Sequence, residues 1–339
     1  MLSWKRVAEI LIFHMTAQLF PFAEAWWLYV AFTVVVLALL ALDLGVFHRK
    51  PSTPTFREAA FWMSVWVALA LVFCFGLYQY VGLKFGQVPA KQATLEFLTG
   101  YIVEESLSLD NMFVFVLIFG YFRIPFKFHH RVLFYGILGA LVFRASFIAL
   151  GSSLLRFEWV VIVFGVFLVL TGLRMMIGRE QRIEPEKNWA LRLFRKFMPV
   201  TPDLKGQRLL ARIDGKRYAT PLLMTLVVIE TADILFAIDS VPAIFAITNE
   251  PFIVYTSNVF AILGLRSTYF LLAGAVGRFH LLRYGLAAVL IFVGLKMSWL
   301  NVQWDGHFPI TISLGVIAFL LAASIGLSFV FEKPKAPAG

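Results

Sequence analysis

The stretch Glu104-Glu105-Ser106-Leu107-Ser108-Leu109-Asp110-Asn111-Met112-Phe113-Val114-Phe115 sets three carboxylates in a run otherwise rich in Leu, Val and Phe. A second stretch does the same: Glu230-Thr231-Ala232-Asp233-Ile234-Leu235-Phe236-Ala237-Ile238-Asp239-Ser240-Val241-Pro242. Both lie in apolar runs long enough to cross a bilayer. A charge at bilayer depth costs roughly 2.5 to 3.5 kcal/mol on insertion scales, so carboxylates in such runs need a compensating reason. A buried cation site is the first reading.

Composition agrees with a membrane setting. Over 339 residues the chain is 60% hydrophobic and 15% charged, with 36 Phe and a mean hydropathy of +0.82. Soluble domains run at roughly 45–50% apolar and 25% charged. The expected fold class is therefore all-α, a polytopic transmembrane helix bundle. The net charge of +10 comes from bases in the loops between apolar runs, where they set orientation, and no nucleic-acid partner is implied. The single cysteine, Cys74, sits in an apolar run and rules out a disulfide framework or a thiolate metal site.

Residues 1–24 read as an interfacial segment, because His14 and Gln18 interrupt their short apolar core. From Trp26 onward, runs of spanning length follow at 26–46, 60–81, 96–120, 132–150, 158–178, 219–247, 254–273, 283–300 and 309–331. Nine spans are expected: two leading helices over 26–81, three over 96–178, three over 219–300 and a final one over 309–331. Glu96 and Glu158 fall at expected interfaces.

Bases alternate between loops. Arg49, Lys50 and Arg57 follow the first span, and Arg123, Lys127 and Arg131 follow the third. Arg278 and Arg283 follow the seventh, and Lys333 and Lys335 lie in the tail. The intervening connections are poor in base. The positive-inside rule then puts the N-terminus outside and the C-terminus in the cytoplasm of a cell membrane, with lipid the first partner. The 179–218 connector is a basic cytoplasmic loop, and its 187–198 stretch has the pattern of an amphipathic helix on an anionic leaflet.

The chain also resembles itself. Arg144-Ala-Ser-Phe and Arg266-Ser-Thr-Tyr stand 122 positions apart, as do Gly172-Leu-Arg-Met and Gly294-Leu-Lys-Met. Asp110-Asn111 aligns with Asp239-Ser240, and Glu104 with Asp233, 129 positions apart. Spans three to five thus repeat as six to eight. A repeat of three spans places its second copy upside down, the inverted architecture of secondary transporters with an ion site near the midplane.

Positions seven apart nearly eclipse on a helix, so Glu104 lies over Asn111 and Asp233 over Ser240. Asp110 and Asp239 flank those faces, and the facing copies are expected to converge on one point. Pro242 lacks an N–H and frees the Ile238 carbonyl if the helix opens there. These donors are all oxygen, while the six histidines (14, 48, 129, 130, 280 and 307) lie near ends or in loops. Such a set suits Mg²⁺, Ca²⁺ or Mn²⁺, and Na⁺ or a proton stays open as a coupling ion. Arg144 and Arg266 either neutralise one acid each or act as mobile counter-charges. Asn258 is a helix cap or a ligand. Asp43 is an interfacial acid or part of the site.

At these residues the chain resembles the TerC family of integral membrane proteins. The motifs are Glu104 to Phe115, Ile229 to Ala246 and Thr256-Ser-Asn-Val-Phe-Ala-Ile-Leu-Gly-Leu-Arg-Ser267, and the likeness runs from Trp26 to Phe331. The resemblance implies manganese export and metal homeostasis, an association with tellurium resistance, and kinship with three-helix-repeat exporters of the LysE superfamily. It carries the acidic roles onto Glu104, Glu105, Asp110, Glu230, Asp233 and Asp239, and the Asn, Ser and Arg roles onto Asn111, Ser240, Asn258 and Arg266.

The expected function is transport and not enzymatic, with a divalent cation (Mn²⁺, or Ca²⁺) as cargo and no permanently bound cofactor. One rival is an intramembrane aspartyl protease, against which stand the excess of acids and the absence of a Gly-x-Gly-Asp stretch. Another is a membrane assembly or insertion factor whose acids form only a structural core.

Overall fold

The computed structural model describes residues 18–43, 54–154, 158–177, 189–201, 204, 206–213, 216–273, 281–300, 303–304 and 308–331. Most of the expected interfacial segment, and much of the basic connector, lie outside this set. So do the side chains of Asp110, Asp239 and Glu158.

Each expected span falls on a helix: α1 (Phe22–Leu42), α2 (Phe56–Phe85), α3 (Gln87–Tyr121), α4 (His129–Leu154) and α5 (Glu158–Ile177), then α7 (Pro221–Phe245), α8 (Pro251–Ala273), α9 (Leu282–Leu295) and α10 (Ile310–Val330). A π-helical turn, Lys296–Leu300, extends α9. The connector contributes α6 (Trp189–Phe197), which supplies the expected amphipathic helix, and an antiparallel hairpin of β1 (Leu210–Ile213) and β2 (Lys216–Ala219). Thr220 donates its hydroxyl to the Arg208 and Leu209 carbonyls, tying the hairpin to the start of α7.

Local chemistry explains the helix ends. Thr55 and Glu58 form a reciprocal capping box that starts α2. Gly86, at φ 95°, makes the sharp break between α2 and α3 in a conformation that side chains resist. Pro221 opens α7 in the first turn, where its missing N–H leaves no gap. Pro242, by contrast, does not open α7: the helix runs through it to Phe245. The expected break there is corrected: Pro242 is one turn from the helix end, and the Ala246 N–H still bonds its carbonyl at 2.9 Å.

Six of the described helices are long and apolar enough to cross a membrane: α1, α2, the segment Phe126–Ser152 containing α4, α7, α9 with its π turn, and α10. α8 is not among them for a physical reason. Residues from Phe252 to Leu272 are almost all buried, including Thr256, Ser257, Asn258, Arg266, Ser267 and Thr268. Its surroundings are other helices, so it tolerates polarity that a lipid-facing helix does not. α3 carries the acidic stretch, and its 35 residues extend for about 52 Å at ~1.5 Å per residue. That exceeds a hydrocarbon core of ~30 Å. The outer helices instead turn Val34, Val72, Phe75, Phe319 and Phe329 outward, each exposed, as lipid contact requires.

Two helix pairs run parallel around the core. α3 lies along α8, with Gly100 against Ser257 and Glu105 against Gly264. α4 lies along α7, with Gly139 against Glu230 and Gly151 against Phe245. α5 and α9 cross in contact, Gly165 against the Gly294 carbonyl and Gly172 against the Ala287 carbonyl. An aromatic cluster joins α1, α2 and α3 to α8: Phe260 lies 5.6 Å from Phe32, 5.1 Å from Phe73 and 6.0 Å from Phe97 between ring centroids.

At one end of the bundle Glu250, in the turn between α7 and α8, accepts the backbone N–H groups of Leu19 (2.6 Å) and Phe20 (3.3 Å). Beside it Thr248 donates to Glu96 at 2.5 Å. Glu96 is buried at this end of the bundle, on α3, which begins nine residues before the expected span.

Two predictions follow from these contacts. A β-carbon at Gly172 would stand 2.7 Å from both the Ala287 carbonyl and Ile291, so Gly172→Val should destabilise the α5 and α9 contact by about 1–3 kcal/mol, read as a lower Tm in detergent. Burial, with the Glu96 charge nearby, pushes the Glu250 carboxyl up from 4.5 to about 7 against its two backbone hydrogen bonds. The folded state therefore holds a proton that the unfolded chain has lost between those two values, and stability falls as pH rises across that window. Glu250→Gln should flatten the fall by at most about 3 kcal/mol; equal slopes in thermal melts from pH 4.5 to 7.5 would refute this.

Candidate functional site

Arg144 is the sixteenth residue of α4 and is 1% exposed. Its guanidinium forms an ion pair with Glu104 of α3 and a second with Asp233 of α7, Nη2 to Oδ1 at 3.3 Å. Nη1 also donates to Asn258 Oδ1 of α8 at 3.2 Å. Four helices thus meet on one side chain. Glu104, Asp233 and Asn258 are each buried; Asp233 Oδ2, Asn258 Nδ2 and both oxygens of Glu104 are without a hydrogen bond among the described residues, Glu104 Oε1 having only its ion pair with Arg144.

Two sequence expectations change here. Arg144 pairs with two acids rather than one. Asn258 lies inside α8, as its eighth residue, so it is a buried acceptor and not a cap.

Arg266 is the sixteenth residue of α8. It pairs with Asp43 at the end of α1, Nη2 to Oδ1 at 2.5 Å, and its Nη1 lies 3.1 Å from His130 Nε2. Asp43 is buried, which removes the reading of an interfacial acid. Sequence reasoning passed over the histidines, yet two of them start α4 against α8: His130 meets Arg266, and His129 meets the Tyr269 hydroxyl at 2.8 Å and the Ile124 carbonyl at 2.9 Å. The available signal was His-His opening a span fourteen residues before Arg144.

The remaining acids point elsewhere. Glu105, one residue and about 100° round from Glu104, accepts from Thr268 of α8 at 3.0 Å, close to Met63 of α2. Glu230 lays its carboxyl against Gly139 of α4, where a β-carbon would overlap it. Glu105 Oε2 and Glu230 Oε2 are buried without partners among the described residues, as is the Ser240 hydroxyl. Asn111 is buried on α3.

Of the expected convergence, Glu104 and Asp233 meet on Arg144, Glu105 and Glu230 face Thr268 and Gly139 instead, and the side chains of Asp110 and Asp239 lie outside the described residues. Helix geometry is the reason, since neighbours such as Glu104 and Glu105 face different helices. Among the described residues no three His, Cys, Asp or Glu side chains stand together as a metal cage. A small apolar cavity of about 10 Å³, bounded by Phe115, Gly136, Ile229 and Leu265, lies beside Asp233.

Known proteins fit this architecture. The family model described as "Integral membrane protein TerC family" matches residues 90–336. A Myxococcus xanthus protein named "Uncharacterized membrane protein STKORF319" is 49% identical over 93% of this chain and 96% of its own. The Escherichia coli K12 protein named "Putative membrane-bound redox modulator Alx" is 43% identical over 86% of this chain and 90% of its own. A protein of the same name from Photorhabdus laumondii is 42% identical over 90% and 95%. No solved structure matches the chain significantly. With its family motif, its buried acids and its lipid-facing helices in agreement, the chain belongs to the TerC family of integral membrane proteins.

Proposed function

We propose that this protein exports a hard divalent cation, Mn²⁺ above others, through the helical core by alternating access. The observation that carries the reading is the set of carboxylates on α3 and α7 with unpartnered buried oxygens, on Glu104, Glu105, Glu230 and Asp233. Ionisable groups in a membrane core are expensive, and such groups mark ion pathways by default. Carboxylate, hydroxyl and amide oxygens suit Mn²⁺, Mg²⁺ or Ca²⁺, and the family resemblance selects manganese. Asp110 and Asp239, whose side chains lie outside the described residues, complete the proposed donor set from the sequence. The protein is proposed to work as a transporter without a resident cofactor.

Inverted three-helix repeats are part of the proposal. Under the 122-residue register Gly172 corresponds to Gly294, and Gly165 to Ala287. A two-fold axis would turn the Gly172 contact with Ala287 into the contact of Gly294 with Gly165, and both are present. It would also exchange α3 alongside α8 for α7 alongside α4, and again both are present. These matched contacts support the repeat; the nine spans, the outside N-terminus and the cytoplasmic C-terminus in the plasma membrane are proposed from the apolar run lengths and the alternation of basic loops.

The relatives' name speaks of redox modulation. This chain has one cysteine, Cys74, buried on α2, so it has no second thiol for dithiol exchange. An influence on redox balance through metal supply is compatible with export. The alternative role, an assembly or tellurium-resistance factor with a structural acidic core, gives no reason for carboxyl oxygens without partners.

Two tests apply. Cells expressing the protein at raised external Mn²⁺ should hold less manganese than cells without it, and Glu230→Gln should lose most of that difference, about tenfold or more in efflux rate. Gly139→Ala, which drives a methyl into the Glu230 carboxyl, should impair efflux with the charge retained. Equal manganese content with and without the protein would sink the proposal. For orientation, a lone cysteine placed at position 195 should resist an impermeant thiol reagent added outside, and one at position 87 should react; the reverse pattern would invert the topology.

A further inference from the structure

The acids best placed to hold a divalent ion are already held by a side chain. Glu104 and Asp233 are the register-related pair of the two repeats, and the Arg144 guanidinium lies between them with Asn258 Oδ1 on the same fork. We propose that Arg144 is a tethered counter-cation, competing with the transported divalent ion for Glu104, Asp233 and Asn258 and vacating them when the ion binds. This rests on the transport reading above and assigns the device that regulates access to its site.

Charge favours the competition. Two carboxylates and one guanidinium leave the cluster at a formal −1, and two carboxylates with a divalent ion are neutral. A divalent ion bound beside the guanidinium would meet a like charge at a few ångströms, and that repulsion is several times stronger in a buried, low-dielectric site than in water. The ligands left behind when the guanidinium departs are two carboxylates and one amide oxygen, a donor set for a hard cation.

The present contacts are also incomplete in a way a purely structural bridge need not be. An arginine offers five donors, yet Arg144 Nε has no hydrogen-bond partner among the described residues. Each acid meets the guanidinium through one oxygen, and the other oxygen of each, though buried, has no partner among the described residues. A permanent bridge between two carboxylates would gain from bidentate pairing. Monodentate contacts offset one of the two negative charges while leaving an oxygen of each acid ready to accept.

Competition has a thermodynamic signature. When only the fraction of molecules with the arginine withdrawn binds the ion, the apparent Kd rises in inverse proportion to that fraction. Arg144→Gln removes the competing charge and leaves a shorter, neutral side chain with an oxygen donor. Arg144→Lys keeps the charge as a compact point, with only one atom to share between the acids.

The test is the Mn²⁺ concentration at half-maximal thermal stabilisation of the purified full chain in detergent, for wild type and both variants. The expected result is a midpoint roughly tenfold or more lower in Arg144→Gln, with lower stability at zero Mn²⁺, and an intermediate midpoint in Arg144→Lys. In a vesicle assay Arg144→Gln should bind Mn²⁺ but turn over slowly, because release is no longer assisted. An unchanged midpoint, or a variant that loses Mn²⁺ stabilisation which the wild type shows, would overturn the inference while leaving transport standing. Stabilisation in neither protein would overturn both. If Arg144→Gln fails to fold, the Arg144→Lys midpoint decides: a fall supports competition, and no change refutes it.

Discussion

The architecture depends on keeping charge out of lipid. An isolated guanidinium or carboxylate in a low-dielectric interior carries a desolvation penalty of several kcal/mol even after relaxation, and removing one partner of a buried pair typically costs about 3–5 kcal/mol. Arg144 therefore constrains more than its own helix. Its contacts with Glu104, Asp233 and Asn258 fix the approach of α3, α7 and α8 to α4. A shift of any one of these helices outward by a side-chain length would expose an unneutralised charge to apolar surroundings. Arg266 applies the same constraint at another place, holding α1 to α8 through Asp43.

Around these polar points the packing is made close by small residues and filled by aromatics. α5 meets α9 through Gly165, Gly172 and Gly294, where backbone carbonyls occupy the space a β-carbon would need. Without a hydrophobic drive between helices in lipid, close van der Waals approach is what holds such a pair. α8 gains most from enclosure. Buried on nearly every side, it presents no face to lipid, which is why the chain can put Asn258, Arg266 and Thr268 on it. The helices that form the wall carry the apolar surface.

Much of this was legible in the sequence. Apolar run length located every long helix, because twenty residues of uninterrupted hydropathy have few other uses. The acids were legible as well, since Glu104, Asp233 and Glu230 are anomalous in such runs. Their grouping was not. Whether Glu104 and Glu105 share a ligand depends on which helix lies on each face, and that is a property of tertiary packing which no local periodicity contains. The same limit hid His130, whose importance comes from Arg266 on another helix, and Gly139, whose role is to leave room for the Glu230 carboxyl. The start of α3 was misjudged for a simpler reason: hydropathy reports where a helix becomes apolar, while α3 begins at Gln87, well before that point.

The two arginines give the last step. Under the proposed repeat, Arg144 and Arg266 are equivalent, each sixteenth in its helix, and Glu104 and Asp233 exchange with one another. A two-fold operation therefore leaves the acid pair in place and swaps the arginines. The structure breaks that symmetry: Arg144 occupies the pair, and Arg266 is held by Asp43 from α1, a helix outside both repeats, with His130 beside it. Of the groups on Arg144, only Glu104 and Asp233 exchange under that operation, because the register sets Gly136 opposite Asn258. Under the proposed transport cycle a second arrangement would reverse the roles of the two halves, as alternating access requires. The Asp43 contact at the end of α1, a helix outside both repeats, would then favour the arrangement described here.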